Sequence, residues 1–119
     1  MGFDTALIGA GAMGGAIGTR LLETGHTLRV FDLDPERVNS LAALGAVPAA
    51  SAADAANGAA FCVISLNSAE IVERAIFGEH GVASQAKPGT LLIDMSSIAP
   101  DATKRLAGRA ADKGLGWVD

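Results

Sequence analysis

The residues with the clearest chemical potential in this sequence form a glycine-rich segment near its start, GAGAMG at residues 9–14. In a strand–turn–helix unit, Gly9 permits a tight turn and Gly11 lets the backbone approach a pyrophosphate, while Gly14 lets the helix pack closely on the strand. The N-terminus of that helix then offers free N–H groups and a positive dipole end to the phosphates. The segment therefore predicts a phosphate-binding loop, whose remaining residues are Ala10, Ala12 and Met13.

Asp32 supplies the second half of a dinucleotide-binding pattern. It follows the β-rich segment TLRVF, about 20 residues beyond the glycines, where a carboxylate hydrogen-bonds the 2′-hydroxyl of the adenosine ribose. A carboxylate also repels a 2′-phosphate, and the next residue is Leu33 rather than an arginine, so we expect nothing nearby to bind that phosphate. The pattern predicts NAD rather than NADP, with Phe31, Asp32 and Leu33 around the ribose.

Two simpler explanations of these residues stay open. The sequence contains 15 glycines in 119 residues, and alanine is commoner still, so composition alone can produce G-x-G-x-x-G. Asp32 can also be read as the start of the turn before Pro35, with Asp34 as the cap of the helix that begins there. The elements around the motif decide between these explanations.

Strands and helices alternate along the whole sequence. Strands are predicted at 3–8, 27–31, 46–49, 59–65, 90–93 and from 117 onward, and helices after the glycine loop, at Pro35, after Ser51, after Asn67 or Ser68, and at Pro100. Core faces are expected at Val38, Leu41 and Leu44 of the second helix and at Ile71, Val72, Ala75 and Ile76 of the fourth. Alternation with short connections predicts an α/β fold with a doubly wound parallel sheet, in a single domain over residues 1–119.

The composition disfavours several classes of function. The net charge is −4 and no basic run occurs, so nucleic acid and anionic membranes are not expected partners. No apolar stretch reaches the roughly 18 residues that a spanning helix needs. Cys62 is the single cysteine and lies in an apolar strand, which predicts a buried thiol, no disulfide, no metal site and a cytoplasmic location.

Several segments together resemble one known family. The segments are IGAGAMGGAIGTRLLETGH with VFD, then VISLNSAEIVERAIFGEHGV, AKPGTLLIDMSSIAP and GWVD. They are similar to the N-terminal domain of the β-hydroxyacid dehydrogenases, which include 3-hydroxyisobutyrate dehydrogenase and tartronate semialdehyde reductase, with 6-phosphogluconate dehydrogenase as a distant relative. The resemblance spans nearly the whole sequence and implies a Rossmann fold.

The resemblance also assigns roles to residues after the later strands. Leu66 and Asn67 would line the cofactor path through backbone contacts, although the family more often has proline where Asn67 stands. Ser96 would lie near the nicotinamide ribose and the substrate carboxylate, with Ser97 beside it. In the alternative reading, the two serines only satisfy the turn before Pro100.

The activity that the resemblance implies is hydride transfer between NAD and a small 2- or 3-hydroxy acid. The family's catalytic lysine belongs to a segment beyond this sequence, and none of Lys87, Lys104 and Lys113 matches its motif. We therefore assign no catalytic residue here, and expect a chain truncated before the family's helical C-terminal domain, nearly inactive alone and prone to form homo-oligomers through uncovered apolar surface. A non-catalytic dinucleotide-binding or sensing module, or a related imine reductase, are the alternatives.

Overall fold

The computed structural model describes residues 2–119 as one six-stranded sheet in which every pairing is parallel. The strands are β1 (Asp4–Ile8), β2 (Thr27–Phe31), β3 (Val47–Pro48), β4 (Phe61–Ile64), β5 (Leu91–Asp94) and β6 (Gly116–Val118). The helices are α1 (Ala12–Glu23), α2 (Pro35–Ala42), α3 (Ala52–Ala56), α4 (Ala69–Phe77) and α5 (Pro100–Asp112), with a short 3-10 turn at Val82–Ser84 that the sequence analysis did not predict.

The strand order is β3-β2-β1-β4-β5-β6, so the chain starts in the middle of the sheet and builds outward first on one side and then on the other. The predicted doubly wound parallel sheet is confirmed. In such a sheet the direction of winding reverses between β1 and β4, and the loops at the carboxyl ends of these two strands separate to leave a crevice.

Both faces of the sheet are covered because successive side chains of a strand point to opposite faces. Ala6 and Ile8 of β1 pack in one buried cluster with residues of α3, α4 and α5. Leu7 packs in a second cluster with Val38 and Leu41 of α2. Burial on both faces explains why the central strands read as continuous apolar runs.

Cys62 illustrates this double burial. It lies in the middle of β4, is fully buried, and has a free thiol. Burial raises the pKa of the Cys62 thiol to about 12, since the thiolate would have to form in an apolar environment. The predicted buried thiol is confirmed.

Two predicted core positions are wrong. Helix α2 ends at Ala42, and a turn follows in which the N–H groups of Leu44 and Ala46 both donate to the Leu41 carbonyl. Gly45 completes this turn at φ +113°, which carries Leu44 off the helix face and leaves it 57% exposed. Ile71 is 40% exposed because the face of α4 that meets the sheet is set by Val72 and Ile76, which are both fully buried.

The helix starts agree with the sequence signals and settle one open choice. The Asp34 carboxylate accepts a hydrogen bond from Glu36 N–H at 3.0 Å, so Asp34 caps α2 as expected. Ser68 Oγ accepts from Ile71 N–H at 3.2 Å, so Ser68 and not Asn67 caps α4. Within residues 2–119, no helix has the length and apolarity needed to cross a membrane.

Helices α4 and α5 are joined by charged side chains at the surface. Glu73 of α4 accepts hydrogen bonds from Arg105 at 2.9 Å and from Arg109 at 2.7 Å, both on α5. The Arg109 guanidinium also lies 4.1 Å from the ring centre of Phe77. Arg105, and then Arg109, hold the pKa of the Glu73 carboxyl below its ordinary value despite an opposing contribution from desolvation.

The lowered pKa of Glu73 makes a prediction about acid stability. A carboxyl whose pKa is depressed in the folded state stabilises that state above its unfolded pKa, and the contribution is lost as the pH falls through the folded value. We expect Glu73→Gln to flatten the decline in unfolding free energy between about pH 5 and about pH 3, measured by urea denaturation. Glu70→Gln, an exposed position on the same helix, is the control. A decline as steep in Glu73→Gln as in the unmodified chain would contradict the prediction.

Candidate functional site

The turn between β1 and α1 is built by two glycines that the fold itself requires. Gly9 has φ +98°, and a Cβ added to it would lie 2.1 Å from the Ser65 carbonyl oxygen. A Cβ on Gly14 would lie 2.0 Å from the Gly9 carbonyl oxygen. Helix α1 therefore approaches the ends of β1 and β4 backbone to backbone, which no larger residue permits.

Gly11 differs from these two, since the folded chain does not require a glycine there. Its backbone, at φ −67° and ψ −160°, is extended and open to any residue. The nearest atom to an added Cβ is Nη1 of Arg37, at 3.6 Å. Gly11 is also the N-cap of α1, and within residues 2–119 no side chain caps this helix, which leaves its first-turn amides available to an outside acceptor. A side chain here would fill space that the protein leaves open in front of a helix N-terminus.

Asp32 follows β2 and connects the glycine loop to the second strand. Its Oδ2 accepts from Ala10 N–H at 2.7 Å and its Oδ1 from Asp34 N–H at 2.8 Å. The side chain is only 10% exposed. The turn interpretation therefore holds in part, but a turn residue alone would not reach back to Ala10. Two carboxylate oxygens have about four acceptor positions, so lone pairs remain for a ligand hydroxyl.

Arg37 is a residue of this site that the sequence analysis missed. It lies on α2, with Nη1 at 3.9 Å from Asp32 Oδ2 and Nε at 3.7 Å from Asp34 Oδ2, and its side chain is 53% exposed. The sequence analysis expected no phosphate-binding group near Asp32 because Leu33 follows it, and the structure places a cation, Arg37, there. The signal was present in the sequence: Pro35 fixes the helix start, and Arg37 lies three residues after the cap, on the face that returns to Asp34.

The ends of β4 and β5 complete the crevice on its other side. Leu66 N–H donates to Ser96 Oγ at 2.9 Å, and Ser96 N–H donates to Asp94 Oδ1 at 2.9 Å. The structure thus brings together Leu66 and Ser96, which lie 30 residues apart in the sequence. Ser96 is half-buried.

The other predicted site residues differ in exposure. Ala10 is buried, and Phe31 is half-buried. Four more are exposed and make their surfaces available to a ligand or to another chain, namely Ala12, Leu33, Asn67 and Ser97. Met13, the last of the predicted loop residues before Gly14, is 55% exposed in the first turn of α1.

All of these groups lie beyond the carboxyl ends of the strands, at the edge where the winding direction reverses. The glycine loop, a helix N-terminus and an acid after the second strand form the arrangement in which open α/β sheets bind dinucleotides. Residues 4–119 match the sequence model of a family described as the NAD binding domain of 6-phosphogluconate dehydrogenase. The chain belongs to this family.

The relatives of this NAD-binding domain agree with the predicted family. The chain is 41% identical over 114 residues to 3-sulfolactaldehyde reductase of Escherichia coli, covering 96% of this chain and 38% of the relative. It is 39% identical over 116 residues to 3-hydroxyisobutyrate dehydrogenase of Pseudomonas aeruginosa, covering 98% of this chain and 39% of the relative. The chain thus spans about two fifths of the length of these relatives.

Solved structures match the fold closely. A Mycobacterium tuberculosis 3-hydroxyisobutyrate dehydrogenase with L-serine superimposes with a TM-score of 0.92 at 30% identity, over 98% of this chain and 39% of the other. The predicted Rossmann fold and the resemblance to hydroxyacid dehydrogenases are confirmed.

The comparisons support NAD as the cofactor and do not exclude NADP. An imine reductase variant from Myxococcus stipitatus in complex with NAD⁺ matches with a TM-score of 0.87 at 25% identity, covering 98% of this chain and 39% of that one. The imine reductase from the same organism in complex with NADP⁺ matches with a TM-score of 0.86 at 25% identity, covering 95% and 38%. The same backbone arrangement therefore accompanies either cofactor in these relatives.

The close approach of α1 to the sheet yields a prediction about two adjacent glycines. Gly14→Ala places a methyl group 2.0 Å from a carbonyl oxygen, so we expect a loss of about 2 kcal/mol or more in unfolding free energy. Gly15→Ala is the matched control, because its Cβ meets only the Ala10 carbonyl oxygen at 3.4 Å and alanine favours a helix. Denaturant unfolding of both variants checks this, and equal stability of the two would contradict the packing argument.

Proposed function

We propose that this chain is the NAD-binding half of an oxidoreductase that transfers hydride between NAD and a small 2- or 3-hydroxy acid. The observation that carries the cofactor part is Gly11, an N-cap glycine that the folded chain does not need and that keeps the end of α1 open. The relatives carry names that denote a small anionic aldehyde and a small anionic alcohol, the two sides of one type of redox reaction.

The proposed mode of binding follows from where each group lies. The pyrophosphate would accept hydrogen bonds from the first-turn amides of α1, in the loop 9–14. Asp32 would accept from the adenosine ribose, with Phe31 and Leu33 alongside it. Leu66, Asn67 and Ser96 would then face the nicotinamide half, which supplies the hydride chemistry when bound. Ser96 and Ser97 would in addition contact the carboxylate of the substrate.

We propose that the residue that exchanges a proton with the substrate lies outside this chain, and that this chain alone is nearly inactive. Lys87 and Lys113 precede β5 and β6, so they lie at the edge of the sheet opposite to the crevice. Lys104 is exposed on α5. None of the three is a candidate for catalysis.

The proposal also covers the oligomeric state and the cellular location of the protein. Exposed apolar side chains such as Phe3, Met95 and Val118 favour contacts with other copies of the chain, and we infer a homo-oligomer. A buried free thiol suits a reducing compartment, so we place the protein in the cytoplasm.

The first test of the proposal uses Gly11→Ala. Because the added methyl meets nothing closer than the Arg37 side chain, the expected loss in unfolding free energy is that of alanine at an N-cap position, about 1 kcal/mol or less. We expect NAD affinity, measured by isothermal titration calorimetry, to fall about tenfold or more because the methyl occupies the phosphate position. Gly15→Ala is the control and should keep NAD affinity. Unchanged NAD affinity in Gly11→Ala would contradict the proposed phosphate-binding role of the loop 9–14.

The second test titrates NAD and NADP against variants of Asp32. We expect the unmodified chain to bind NAD with micromolar-to-millimolar affinity. NAD should bind more tightly than NADP, since the carboxylate accepts from the 2′-hydroxyl and repels a 2′-phosphate. Asp32→Asn keeps an acceptor for Ala10 N–H but removes the negative charge. It should therefore lower the ratio of NAD affinity to NADP affinity about tenfold. Equal affinity for the two cofactors in the unmodified chain would contradict the role of Asp32.

Arg37 gives a third comparison within the same titration. Its guanidinium is the cation nearest to Asp32 among the described ion pairs, so Arg37→Ala should weaken NADP more than NAD. Arg20→Ala, an exposed arginine elsewhere on the surface, is the control. An equal fall in NAD and NADP affinity in Arg37→Ala would contradict this prediction. It would indicate that Arg37 attracts the phosphates common to both cofactors.

A further inference from the structure

The carboxylate of Asp94 is an unusual group at the crevice. It is the last residue of β5 and is only 3% exposed. Oδ1 accepts from Ser96 N–H, whereas Oδ2 is buried and has no hydrogen-bond partner among the residues that the structure describes. Burying a carboxylate oxygen without a partner costs stability, and such a group in a native fold calls for an explanation beyond packing.

The one described hydrogen bond of this carboxylate fixes Ser96. Asp94 Oδ1 holds the backbone N–H of Ser96, while the Ser96 hydroxyl accepts from Leu66 N–H of the neighbouring strand end. A serine hydroxyl has one proton and two lone pairs, so a hydroxyl that is engaged as an acceptor keeps its proton for donation. Among the hydrogen bonds of residues 2–119, Ser96 Oγ takes part only as this acceptor.

The topology indicates which half of a bound dinucleotide would lie near Ser96. Asp32 lies beyond β2 and the glycine loop beyond β1, so the adenosine and pyrophosphate would occupy that side of the crevice. In a doubly wound sheet the other half of the dinucleotide crosses to the strands on the far side of the switch, here β4 and β5. Leu66 and Ser96 lie at the ends of these two strands.

We propose that Asp94 is a positioning residue that holds the Ser96 hydroxyl as a hydrogen-bond donor toward the nicotinamide riboside half of the dinucleotide. This rests on the proposed function, because it assumes that a dinucleotide binds in the crevice. Asp94 itself does not touch the ligand, since its oxygens are buried. Asp94 acts by holding the backbone N–H of Ser96. The Leu66 N–H donates to the Ser96 hydroxyl oxygen, so the hydroxyl proton stays available for donation to the ligand.

The test compares two probes, NAD and ADP, on the 119-residue chain by calorimetry or by NMR shift titration. ADP keeps the adenosine and both phosphates but lacks the nicotinamide riboside. We expect Ser96→Ala and Asp94→Ala to lower NAD affinity about three- to tenfold, the range expected for one lost hydrogen bond, while ADP affinity stays unchanged. The double variant should lose no more than either single variant, because both remove the same interaction.

Two conservative comparisons separate positioning from structure. Asp94→Asn keeps a carbonyl oxygen for Ser96 N–H and should restore most of the NAD affinity that Asp94→Ala loses. Ser40→Ala and Asp112→Ala, at exposed positions of α2 and α5, are the matched controls and should change neither probe.

Three outcomes decide the proposal. An unchanged NAD-to-ADP affinity ratio in Ser96→Ala overturns it, and this variant decides alone if Asp94→Ala does not fold. An equal loss of NAD and ADP affinity in a folded Asp94→Ala also overturns it, because that result indicates a structural role. If the unmodified chain binds neither NAD nor ADP, the proposed function fails instead, and the two failures are therefore distinguishable.

Discussion

The approach of backbone to backbone where α1 leaves β1 is the constraint on which the site depends. Gly14 lies so close to the Gly9 carbonyl that a single methyl group has no space, and Gly9 is equally close to Ser65 at the end of β4. This contact sets the direction in which the α1 N-terminus points and the distance between β1 and β4 at their carboxyl ends. Every group that faces the crevice is placed relative to that junction.

The hydrogen bonds around this junction join consecutive strand ends into a continuous rim. Gly9 N–H donates to the Phe31 carbonyl at 3.0 Å, and Ser65 N–H donates to the Ile8 carbonyl at 2.9 Å. Asp32 and Ser96 extend the rim with side-chain acceptors on either side. A rim of this kind presents polar groups that are already fixed before a ligand arrives, which reduces the entropy that binding must overcome.

Local signals were sufficient to predict most of the fold. Most strands were short apolar runs, α2 to α5 each began at a recognisable cap or proline, and α1 followed the glycine loop. The alternation of elements implied a parallel sheet. Leu44 was misassigned because helical spacing does not show the residue at which a turn carries the chain off the helix. Ile71 was misassigned because an apolar cluster does not show which of its residues face the sheet, here Val72 and Ile76.

The site was predictable where a motif is contiguous and less so where residues meet only in the fold. The glycine loop and Asp32 carry a recognised spacing, so they were found from the sequence. Arg37 could not be found by inspecting Leu33, the residue next to Asp32, because its guanidinium approaches Asp32 from the first turn of α2. The contact between Leu66 N–H and Ser96 Oγ depends on the register of β4 with β5, which a single sequence does not specify.

The buried thiol of Cys62 gives the sheet an internal reporter of its own opening. A thiol reagent reacts with the thiolate, and with a pKa of about 12 this thiol is almost wholly protonated at neutral pH and shielded on both faces. Modification therefore requires the central strands to separate, so at low reagent concentration the labelling rate measures the open population of the sheet. A ligand that bridges the ends of β1 and β4 would slow that labelling in proportion to its occupancy, so the single native cysteine would report binding without a substitution to introduce a labelling site.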